Sequence, residues 1–352
     1  MPRSPVRSEA AQRRPRRTRA AKSQIKTINL ALQGGGSHGA FTWGVLDALL
    51  EDGRLRFDGV SAASSGAMNA VAMAEGLAKA HERGLESADA LALARRSLLE
   101  FWEAVARYGT LAQSMPMVGA ASLMNLWSQW LSPSQMNPLG INPLRDLLQS
   151  RIDFARIGRQ QALKLFIAAT NVRTGKPRVF TGAELSADVV MASACLPTVF
   201  KAVEIDGEHY WDGGYSGNPA IYPLIYDTAT RDVLLVHLHP LEYQSVPVTH
   251  DEIMQRVDEI TFNACLVAEL RVIEFVRHLI LDSHLERKGH KHLLMHRING
   301  GLALNRLGAS RSRADGMQVR TLFALGRQAG ARWLADHFED VGVCDSLEVF
   351  SA

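Results

Sequence analysis

Short apolar runs, each followed by small residues and then by a helical pattern, recur along the first part of this chain. Residues 28–32 predict a strand, and residues 41–50 carry apolar side chains at helical spacing. A second short strand is predicted over 57–62, before an Ala- and Met-rich stretch over 67–80 that predicts a buried helix. This repeat of strand, loop and helix is typical of a parallel sheet covered by helices.

The strand pattern returns after residue 160 and continues to residue 239. A small-residue helix is predicted there, followed by a hairpin whose two short strands flank an Asp206-Gly207 turn. The predicted elements are strands over 163–170, 176–180 and 233–239, a helix over 187–194, and the hairpin of 203–205 with 209–211. We therefore assign residues 26–245 to one α/β domain.

Two regions depart from this rhythm. Residues 91–108 predict a helix, and residues from about 110 to 140 then place Met and Trp among Ser, Pro and Asn. We interpret the latter as an apolar flap, although core packing explains the same residues equally well. Two long helices are predicted over 251–284 and 314–338, with a short strand at 292–296 between them. Residues 246–352 are thus expected to form a helical C-terminal extension packed on the domain.

The positive charge of the chain is concentrated at its N-terminus. The 352 residues carry a formal net charge of +3, and residues 1–26 hold nine Arg and Lys against the single acid Glu9. That segment contributes +8 and leaves −5 for the rest. We interpret residues 1–25 as a disordered solubilising arm, in preference to a targeting or docking element. No nucleic-acid partner is expected, although a docking arm would favour anionic lipid head groups or nucleic acid.

Cysteine content and hydropathy point to an intracellular protein. Cys195, Cys265 and Cys344 lie far apart, in an odd number and without metal-ligand spacing, so we expect reduced thiols and no metal site. No apolar run approaches the ~18 residues that a membrane-spanning helix needs. We expect a cytoplasmic protein that could lie peripherally on a membrane or a lipid granule.

Three short segments bring candidate chemistry to the predicted sheet. They are Gly34-Gly35-Gly36-Ser37-His38-Gly39, Ala62-Ala63-Ser64-Ser65-Gly66 and Asp212-Gly213-Gly214. Each follows a strand-like run, and parallel α/β sheets collect catalytic groups along one edge, so we expect the three segments to meet. Together they offer an oxyanion-binding loop, a nucleophilic serine and a carboxylate base.

Ser64 is the candidate nucleophile. It lies at a strand-to-helix turn, where tight geometry pushes the side chain outward and the helix dipole favours developing negative charge. A serine hydroxyl also needs a base and hydrogen-bond donors for the oxyanion. The backbone of residues 34–36 can approach a substrate carbonyl closely, because glycine has no Cβ. Asp212, held by two glycines, is the nearest carboxylate on a turn.

Each segment by itself has a plainer interpretation. The glycine run could be a phosphate-binding turn, but it lacks the final Gly-Lys-Ser/Thr of a P-loop and the spacing of a dinucleotide-binding motif. The Asp-Gly-Gly segment alone is more often a turn, and the Ala-Ala-Ser-Ser-Gly segment alone is more often packing at a helix start. Their joint occurrence in this order favours a hydrolytic site.

With these segments, the chain from about Ile28 to about His239 resembles the patatin-like phospholipase family. Residues 192–200, with Pro197 and Phe200, are similar to a family block ahead of the aspartate. The resemblance implies a three-layer α/β fold, with a central, mostly parallel sheet flanked by helices. It also implies hydrolysis of lipid carboxylic esters through an acyl-enzyme, without a cofactor. The implied site is a Ser64–Asp212 dyad with an oxyanion hole formed by Gly34, Gly35, Gly36 and Ser37.

The chain departs from the family pattern at two positions. His38 stands where the family usually has Arg or Lys, so a positive charge near the loop would depend on pH. Ala62 stands where the family's nucleophile elbow usually begins with Gly. Ser65 is a rival nucleophile, and Gly66 as the last elbow residue favours Ser64. The residues expected to surround the dyad and the loop are His38, Gly39, Ala62, Ser65, Gly66, Gly213 and Gly214.

Three alternatives stay open. A conventional triad would use a histidine, and His209, His237 and His239 fall in or near the sheet, although we expect them to be surface or packed residues. A non-catalytic scaffold would keep the fold to bind lipid or protein. An esterase could act on soluble esters or a polyester in place of a lipid ester at a membrane or lipid interface. The sequence is silent on oligomeric state.

Overall fold

One eight-stranded sheet runs through the described part of the chain. The structure is a computed structural model that describes residues 24–114, 142–159, 162–243, 245–282, 291–301, 304 and 315–347. The predicted basic tail up to residue 23, and the predicted flap from residue 115 onward, lie outside these ranges. The strands are β1 (Lys26–Leu32), β2 (Leu55–Ala62), β3 (Lys164–Asn171), β4 (Pro177–Thr181), β5 (Val203–Ile205), β6 (Glu208–Asp212), β7 (Asp232–His237) and β8 (Leu294–Asn299).

Helices cover both faces of this sheet. They are α1 (Gly39–Asp52), α2 (Ser65–Glu82), α3 (Ser87–Ser114), α4 (Pro143–Arg151), α5 (Phe154–Arg159), α6 (Ala187–Ser193), α7 (Tyr222–Tyr226), α8 (His250–Asp282) and α9 (Gly316–His337). The predicted helices at 41–50 and 67–80 are α1 and α2, which extend toward the preceding strands. Within the described residues, no helix combines the length and the apolar character that crossing a bilayer requires.

The centre of the sheet is parallel. Five strands in the order β3-β2-β1-β7-β8 run in one direction. β4 and β6 pair antiparallel with β3, and β5 completes a hairpin with β6. The predicted central, mostly parallel sheet flanked by helices is confirmed. The glycine segment, the Ser64 segment and Asp212 all follow strand ends in the middle of this arrangement.

Two apolar clusters, one on each face, sandwich the sheet. Alternate residues of a strand enter different clusters, as the pleat requires: Leu30 packs with α1 and α2, whereas Ala31 packs with α7 and α8. Leu234 and Leu235 of β7 divide between the clusters in the same way. The first cluster also includes side chains of α3, α4, α5, α6 and α9. One face of the sheet therefore packs against most of the helices. Among the described residues, only α7, α8 and a C-terminal segment cover the other face.

The C-terminal part of the chain completes the sheet as well as covering it. The strand predicted at 292–296 is β8, which pairs in parallel with β7 at the edge of the sheet. The predicted C-terminal helices are present, and α9 approaches α1 very closely. A Cβ on Gly44 of α1 would overlap the carbonyl oxygen of Phe323, and one on Gly326 would overlap that of Phe41. Glycine at both positions is what allows the two helix backbones to touch.

Candidate active site

The turn between β2 and α2 holds Ser64 in a backbone conformation that serine rarely adopts. Its φ is 52° and its ψ is −126°, a conformation that costs about 1–3 kcal/mol for a residue with a side chain. The Ser64 N–H donates to Ser193 Oγ at 2.9 Å, and the Ser193 hydroxyl donates to the Ala168 carbonyl at 2.7 Å. These bonds hold a sharp strand-to-helix turn with Ser64 at its tip, which is the geometry of a nucleophile elbow.

Small residues around Ser64 are required by packing. Ala62 and Ala63 are fully buried before the turn. A Cβ on Gly66 would overlap the carbonyl oxygen of Leu32 at the end of β1. The turn can therefore lie against the neighbouring strand only if its last residue is glycine.

Gly66→Ala is expected to lower the free energy of unfolding by at least about 2 kcal/mol, because the methyl group meets backbone that cannot move aside. The matched control is Gly316→Ala at the first residue of α9, where the nearest atom is the flexible end of Arg320, at 3.4 Å. That change should be neutral or stabilising by up to about 1 kcal/mol. Urea unfolding of both variants measures the difference, and equal stabilities would contradict the packing argument.

Strand β3 brings Asp212 to the same place. β4 covers one edge of β3 over residues 166–170. The other edge pairs first with β2, up to Ala62 opposite Ile167, and then with β6, where Asp212 lies opposite Ala169. The ends of β2 and β6 therefore face each other along one edge of β3. The residues that follow these ends, far apart in sequence, become neighbours.

The Ser64 side chain lies close to the Asp212 carboxylate and favours the charged form of that group. Asp212 is 1% exposed and Ser64 is 8% exposed, so both residues are buried beneath the protein surface. The Gly214 N–H donates to Asp212 Oδ1 at 2.7 Å. Burial raises the pKa of Asp212 to about 7, against the opposing effects of the Gly214 hydrogen bond and of the nearby Ser64 side chain. The carboxyl group therefore changes its protonation state near neutral pH.

The glycines after Asp212 fix its position. A Cβ on Gly213 would overlap the carbonyl oxygen of Ala168 in β3, and one on Gly214 would overlap the ring of Phe262 in α8. The Thr170 hydroxyl donates to the Asp212 carbonyl at 2.8 Å. The aspartate turn is thus clamped between β3 on one side and α8 on the other.

The glycine loop after β1 lies directly against Ser64. A Cβ on Gly34 would come within 2.6 Å of Ser64 Cβ. The Gly34 N–H donates to Asn218 Oδ1 at 2.7 Å, and the Gly35 N–H donates to Ser65 Oγ at 3.1 Å. These two amides and the Ser65 hydroxyl therefore anchor the loop beside Ser64.

The rest of the loop connects to the helices. Gly36 has a φ of 59° and begins a 3-10 turn, Gly36–His38, in which His38 is buried. Ser37 Oγ accepts a hydrogen bond from Gln318 Nε2 of α9 at 3.4 Å. A Cβ on Gly39 would lie 2.6 Å from Ser65 Cβ, so α1 and α2 begin side by side. The N-terminal ends of both helices thus lie at the site.

His209 points away from Asp212. The two residues lie three apart on β6, and alternation along a strand sends their side chains to opposite faces. The His209 side chain is 50% exposed, and its Nε2 lies 3.8 Å from Glu204 Oε2. In this position His209 faces solvent beside a surface carboxylate.

The other two candidate histidines, His237 and His239, are buried and hydrogen-bonded. His239 Nε2 pairs with the Gly34 carbonyl at 2.7 Å. His237 Nε2 pairs with Asn263 Oδ1 at 3.2 Å, and burial lowers the pKa of His237 to about 4. A neutral, packed imidazole is what a structural histidine presents at physiological pH.

Sequence comparison decides the family. The profile of the family described as patatin-like phospholipase matches residues 30–225, more than half of the 352 residues. The chain belongs to the patatin-like phospholipase family. The matched range contains the whole glycine loop, the Ser64 turn and Asp212, so the three segments of this patatin-like site all lie inside it.

The other comparisons are more distant. No curated protein matches this patatin-like chain. Among solved structures it is similar to VipD from Legionella pneumophila, with 15% identity and a TM-score of 0.35 over 84% of this chain and 66% of that one. It is also similar to a chain of full-length SpcU in complex with full-length ExoU from the type III secretion system of Pseudomonas aeruginosa. There the identity is 15% and the TM-score 0.28, over 85% of this chain and 53% of that one. The patatin-like chain thus spans about two thirds and about half of these two chains.

Sequence reasoning missed three residues that hold the patatin-like site together. Asn218 accepts from the Gly34 N–H, and Ser193 accepts from the Ser64 N–H. Gln33 Oε1 accepts from the N–H groups of Leu238 at 2.7 Å and His239 at 3.0 Å, which ties the loop to the end of β7. Each is a polar residue within an otherwise small or apolar run, and that signal alone could have drawn attention to them.

One cysteine, Cys195, lies near Asp212. The pKa of the nearby Cys195 rises to about 11 through burial and the charge of Asp212, so its thiol stays protonated at neutral pH. Across the described ranges, no three His, Cys, Asp or Glu side chains come together as metal ligands.

Proposed function

We propose that this protein is a serine acylhydrolase of the lipase or phospholipase A type, which cleaves carboxylic ester bonds of lipids. Membership of the patatin-like phospholipase family supports lipid acyl hydrolase activity. The observation that carries the finer proposal is the closeness of the Ser64 side chain, at a strained strand-to-helix turn, to the buried Asp212 carboxylate. In this proposal Ser64 is the nucleophile and Asp212 is its base, which makes a Ser–Asp dyad.

The proposed reaction has two halves. Ser64 Oγ attacks the ester carbonyl carbon while its proton passes to Asp212. The tetrahedral intermediate then collapses, the alcohol leaves with the proton from Asp212, and the acyl group stays on Ser64. Water attacks this acyl group, gives a proton to Asp212, and the carboxylic acid leaves as Ser64 recovers its proton. Every proton moves between the substrate, water and these two residues.

We assign the oxyanion contact to the start of the 3-10 turn. Gly34 and Gly35 already use their N–H groups to bind Asn218 and Ser65. Gly36 stands where a helical turn begins, and the N–H of the first residue of such a turn has no acceptor within the turn. We therefore propose that the Gly36 N–H donates to the oxyanion, with Ser37 following it in the turn. Gly34 and Gly35 would hold the loop in position. A donor of this kind contributes about 3 kcal/mol to transition-state stabilisation in hydrolases.

The raised pKa of Asp212 fits a general base. An ordinary aspartate, with a pKa of about 3.9, is too weak a base to take a serine proton efficiently. Proton transfer is most effective when the pKa of the base lies near the working pH, and burial brings Asp212 to about 7. The N-terminus of α2, which begins immediately after Ser64, favours the negative charge that develops during attack.

The rate of hydrolysis should therefore depend on pH through Asp212. Only the deprotonated carboxylate accepts the serine proton, so we expect kcat/KM for an uncharged ester to rise tenfold per pH unit at acid pH. The rise should level off above an apparent pKa of about 7. A pH profile with p-nitrophenyl butyrate measures this, corrected for its spontaneous hydrolysis. A midpoint near pH 4 would contradict the assignment of Asp212 as a buried base.

Two other functions remain as alternatives. One is an esterase for soluble short-chain esters or for a polyester, and the other is a scaffold that binds lipid or protein without turnover. Hydrolysis of p-nitrophenyl esters from two to sixteen carbons, and fatty-acid release from phosphatidylcholine vesicles, separate them. We expect turnover that increases with acyl length and with the presence of a lipid interface. Turnover confined to soluble short esters would favour the first alternative, and no turnover of any ester would favour the second.

A further inference from the structure

The chain that leaves the C-terminal end of α6 is bonded to both residues of the proposed dyad. Ser193 Oγ, in the last residue of α6, accepts from the Ser64 N–H at 2.9 Å. Two residues later, the Cys195 carbonyl accepts from the Asp212 N–H at 2.8 Å. The residues that follow Cys195 therefore start at the edge of the candidate site.

Residues 196–200, which we call the rim turn, expose three apolar side chains within five residues. Leu196 is 36% exposed, Val199 is 54% exposed and Phe200 is 36% exposed. Single apolar residues are ordinary on a protein surface, but a contiguous group of them indicates a contact with something apolar. Here the group stands beside the candidate site.

The rim turn pairs several of its backbone groups within itself. The N–H groups of Val199 and Phe200 both donate to the Leu196 carbonyl, at 3.0 and 2.9 Å. The Cys195 thiol donates to the Lys201 carbonyl at 3.2 Å and closes the base of the turn. Backbone groups that are already paired lose little on leaving water, so this turn can enter an apolar layer at low cost.

The charge around the rim turn fits a phospholipid surface. From residue 194 to residue 203 the chain has no Asp or Glu, and the exposed Lys201 follows directly after the apolar group. A segment of this kind places its apolar side chains at the acyl boundary, and its lysine is attracted by the phosphate groups of the lipids.

We propose that the rim turn is where this protein contacts a phospholipid surface, with its apolar side chains among the acyl chains and Lys201 at the phosphate groups. The inference rests on the proposed function, because a lipid acyl hydrolase takes its ester from a lipid layer. The bonds to Ser64 and Asp212 hold the turn next to the groups that cleave that ester. Such contact affects the hydrolysis of vesicle lipids more than that of a small dissolved ester.

Vesicle binding by the full chain carrying Ser64→Ala tests this proposal without hydrolysis of the lipid. The protein is titrated with vesicles of phosphatidylcholine and phosphatidylglycerol, and flotation separates the bound fraction. Val199→Asp places a charge at the most exposed apolar position of the rim turn, and should raise the dissociation constant by about tenfold or more. Val199→Trp should lower it about threefold, because tryptophan favours the boundary between lipid and water. A gain in affinity cannot arise from a variant that fails to fold.

Val343→Asp is the matched control. Val343 is 71% exposed and follows Gly342, whose N–H donates to Asp232 Oδ1 at the first residue of β7. It therefore lies at the amino ends of the parallel strands, away from the candidate site. The same new charge at this position should leave vesicle binding unchanged.

Turnover with Ser64 intact separates this proposal from the proposed function. The ratio of fatty-acid release from the same vesicles to turnover of p-nitrophenyl butyrate should fall about tenfold in Val199→Asp. If the unmodified protein hydrolysed no ester, the proposed function would fail, and vesicle binding by Ser64→Ala would still test the rim turn.

Several results would overturn the rim-turn contact. They are a Ser64→Ala protein that does not bind vesicles, binding that Val199→Asp leaves unchanged, and an equal loss of binding in Val343→Asp. A fall in butyrate turnover with unchanged vesicle binding would instead make the turn a contact for the acyl group of a bound substrate. A dimer that dissociates in Val199→Asp, measured by sedimentation velocity, would make the turn a protein interface.

Discussion

Replacing Ser64 with alanine is expected to lower kcat for ester hydrolysis by at least about 10⁴-fold, because it removes the proposed nucleophile, and the adjacent Ser65 hydroxyl is engaged by the Gly35 N–H. The fold should persist, since the N–H of residue 64 still donates to Ser193 Oγ and the small side chain fits the buried turn. Turnover of a p-nitrophenyl acyl ester under saturating substrate measures the effect. The hydrolysis rate that remains in Ser64→Ala should be the rate that the oxyanion contact and substrate binding support without a serine nucleophile.

Ser65→Ala is the control that separates two adjacent hydroxyl groups. Ser65 Oγ accepts from the Gly35 N–H at 3.1 Å, so we give it a positioning role in the loop and not a chemical one. Its loss should lower kcat only modestly, about tenfold, through a loosened loop. If Ser65→Ala were inactive while Ser64→Ala kept most of its activity, the assignment of the nucleophile would be wrong.

Asp212→Asn has the second largest expected effect, a loss of about 10³–10⁴ in kcat/KM. The amide keeps the shape of the carboxyl group and can still accept from the Gly214 N–H, but it cannot take a proton from Ser64. His209→Ala should retain most of the activity, because that imidazole faces solvent next to Glu204. The reverse pattern, an active Asp212→Asn and an inactive His209→Ala, would replace the dyad with a histidine triad.

Asp212→Asn should also stabilise the protein at neutral and higher pH. The pKa of Asp212 is about 7 in the folded protein, above the value of about 3.9 expected in the unfolded chain. Below about pH 4 both states are protonated and the group has no effect on stability. Between pH 4 and pH 7 the folded protein keeps a proton on Asp212 that the unfolded chain has lost. The free energy of unfolding therefore falls as pH rises, by at most about 4 kcal/mol. Asp212→Asn removes this dependence. Urea unfolding of both proteins at pH 4 and pH 8 measures it, and an equal pH dependence would contradict the buried-acid account.

Such a gain in stability with a loss of activity is what a strained functional site produces. Ser64 keeps an unfavourable φ, and Asp212 keeps a carboxyl group where water cannot solvate its charge. Both features oppose folding and are held by their neighbours: by Ser193 for the turn, and by Gly214 and Thr170 for the aspartate.

Much of the fold and of the site neighbourhood was predictable because local patterns dictate it. The strand-loop-helix repeats placed β1, α1, β2 and α2, and Gly66 marks the turn because only glycine fits against Leu32. The rule that parallel strands share a carboxyl edge accounts for the positions of the glycine loop and Ser64, but not for Asp212, because β6 is antiparallel to β3. Asp212 comes close to Ser64 because β2 and β6 share one edge of β3.

The sequence could not show which backbone amides of the loop are engaged by residues far away in the chain. Four consecutive amides look equivalent along the chain, yet Asn218 and Ser65 engage those of Gly34 and Gly35. Likewise the short strand at 292–296 carries no local sign that it becomes β8, because its pairing with β7 is set by the packing of the whole C-terminal part.

Covalent trapping is the sharpest test of Ser64 as an activated nucleophile. The full chain is treated at pH 8 with a fluorophosphonate, which phosphonylates activated serine hydroxyls, and tandem mass spectrometry of the labelled peptide resolves Ser64 from Ser65. We expect one adduct per chain on Ser64 Oγ, formed in parallel with the loss of esterase activity and greatly slowed in Asp212→Asn. Labelling on another residue, or inactivation that leaves Ser64 unmodified, would contradict it.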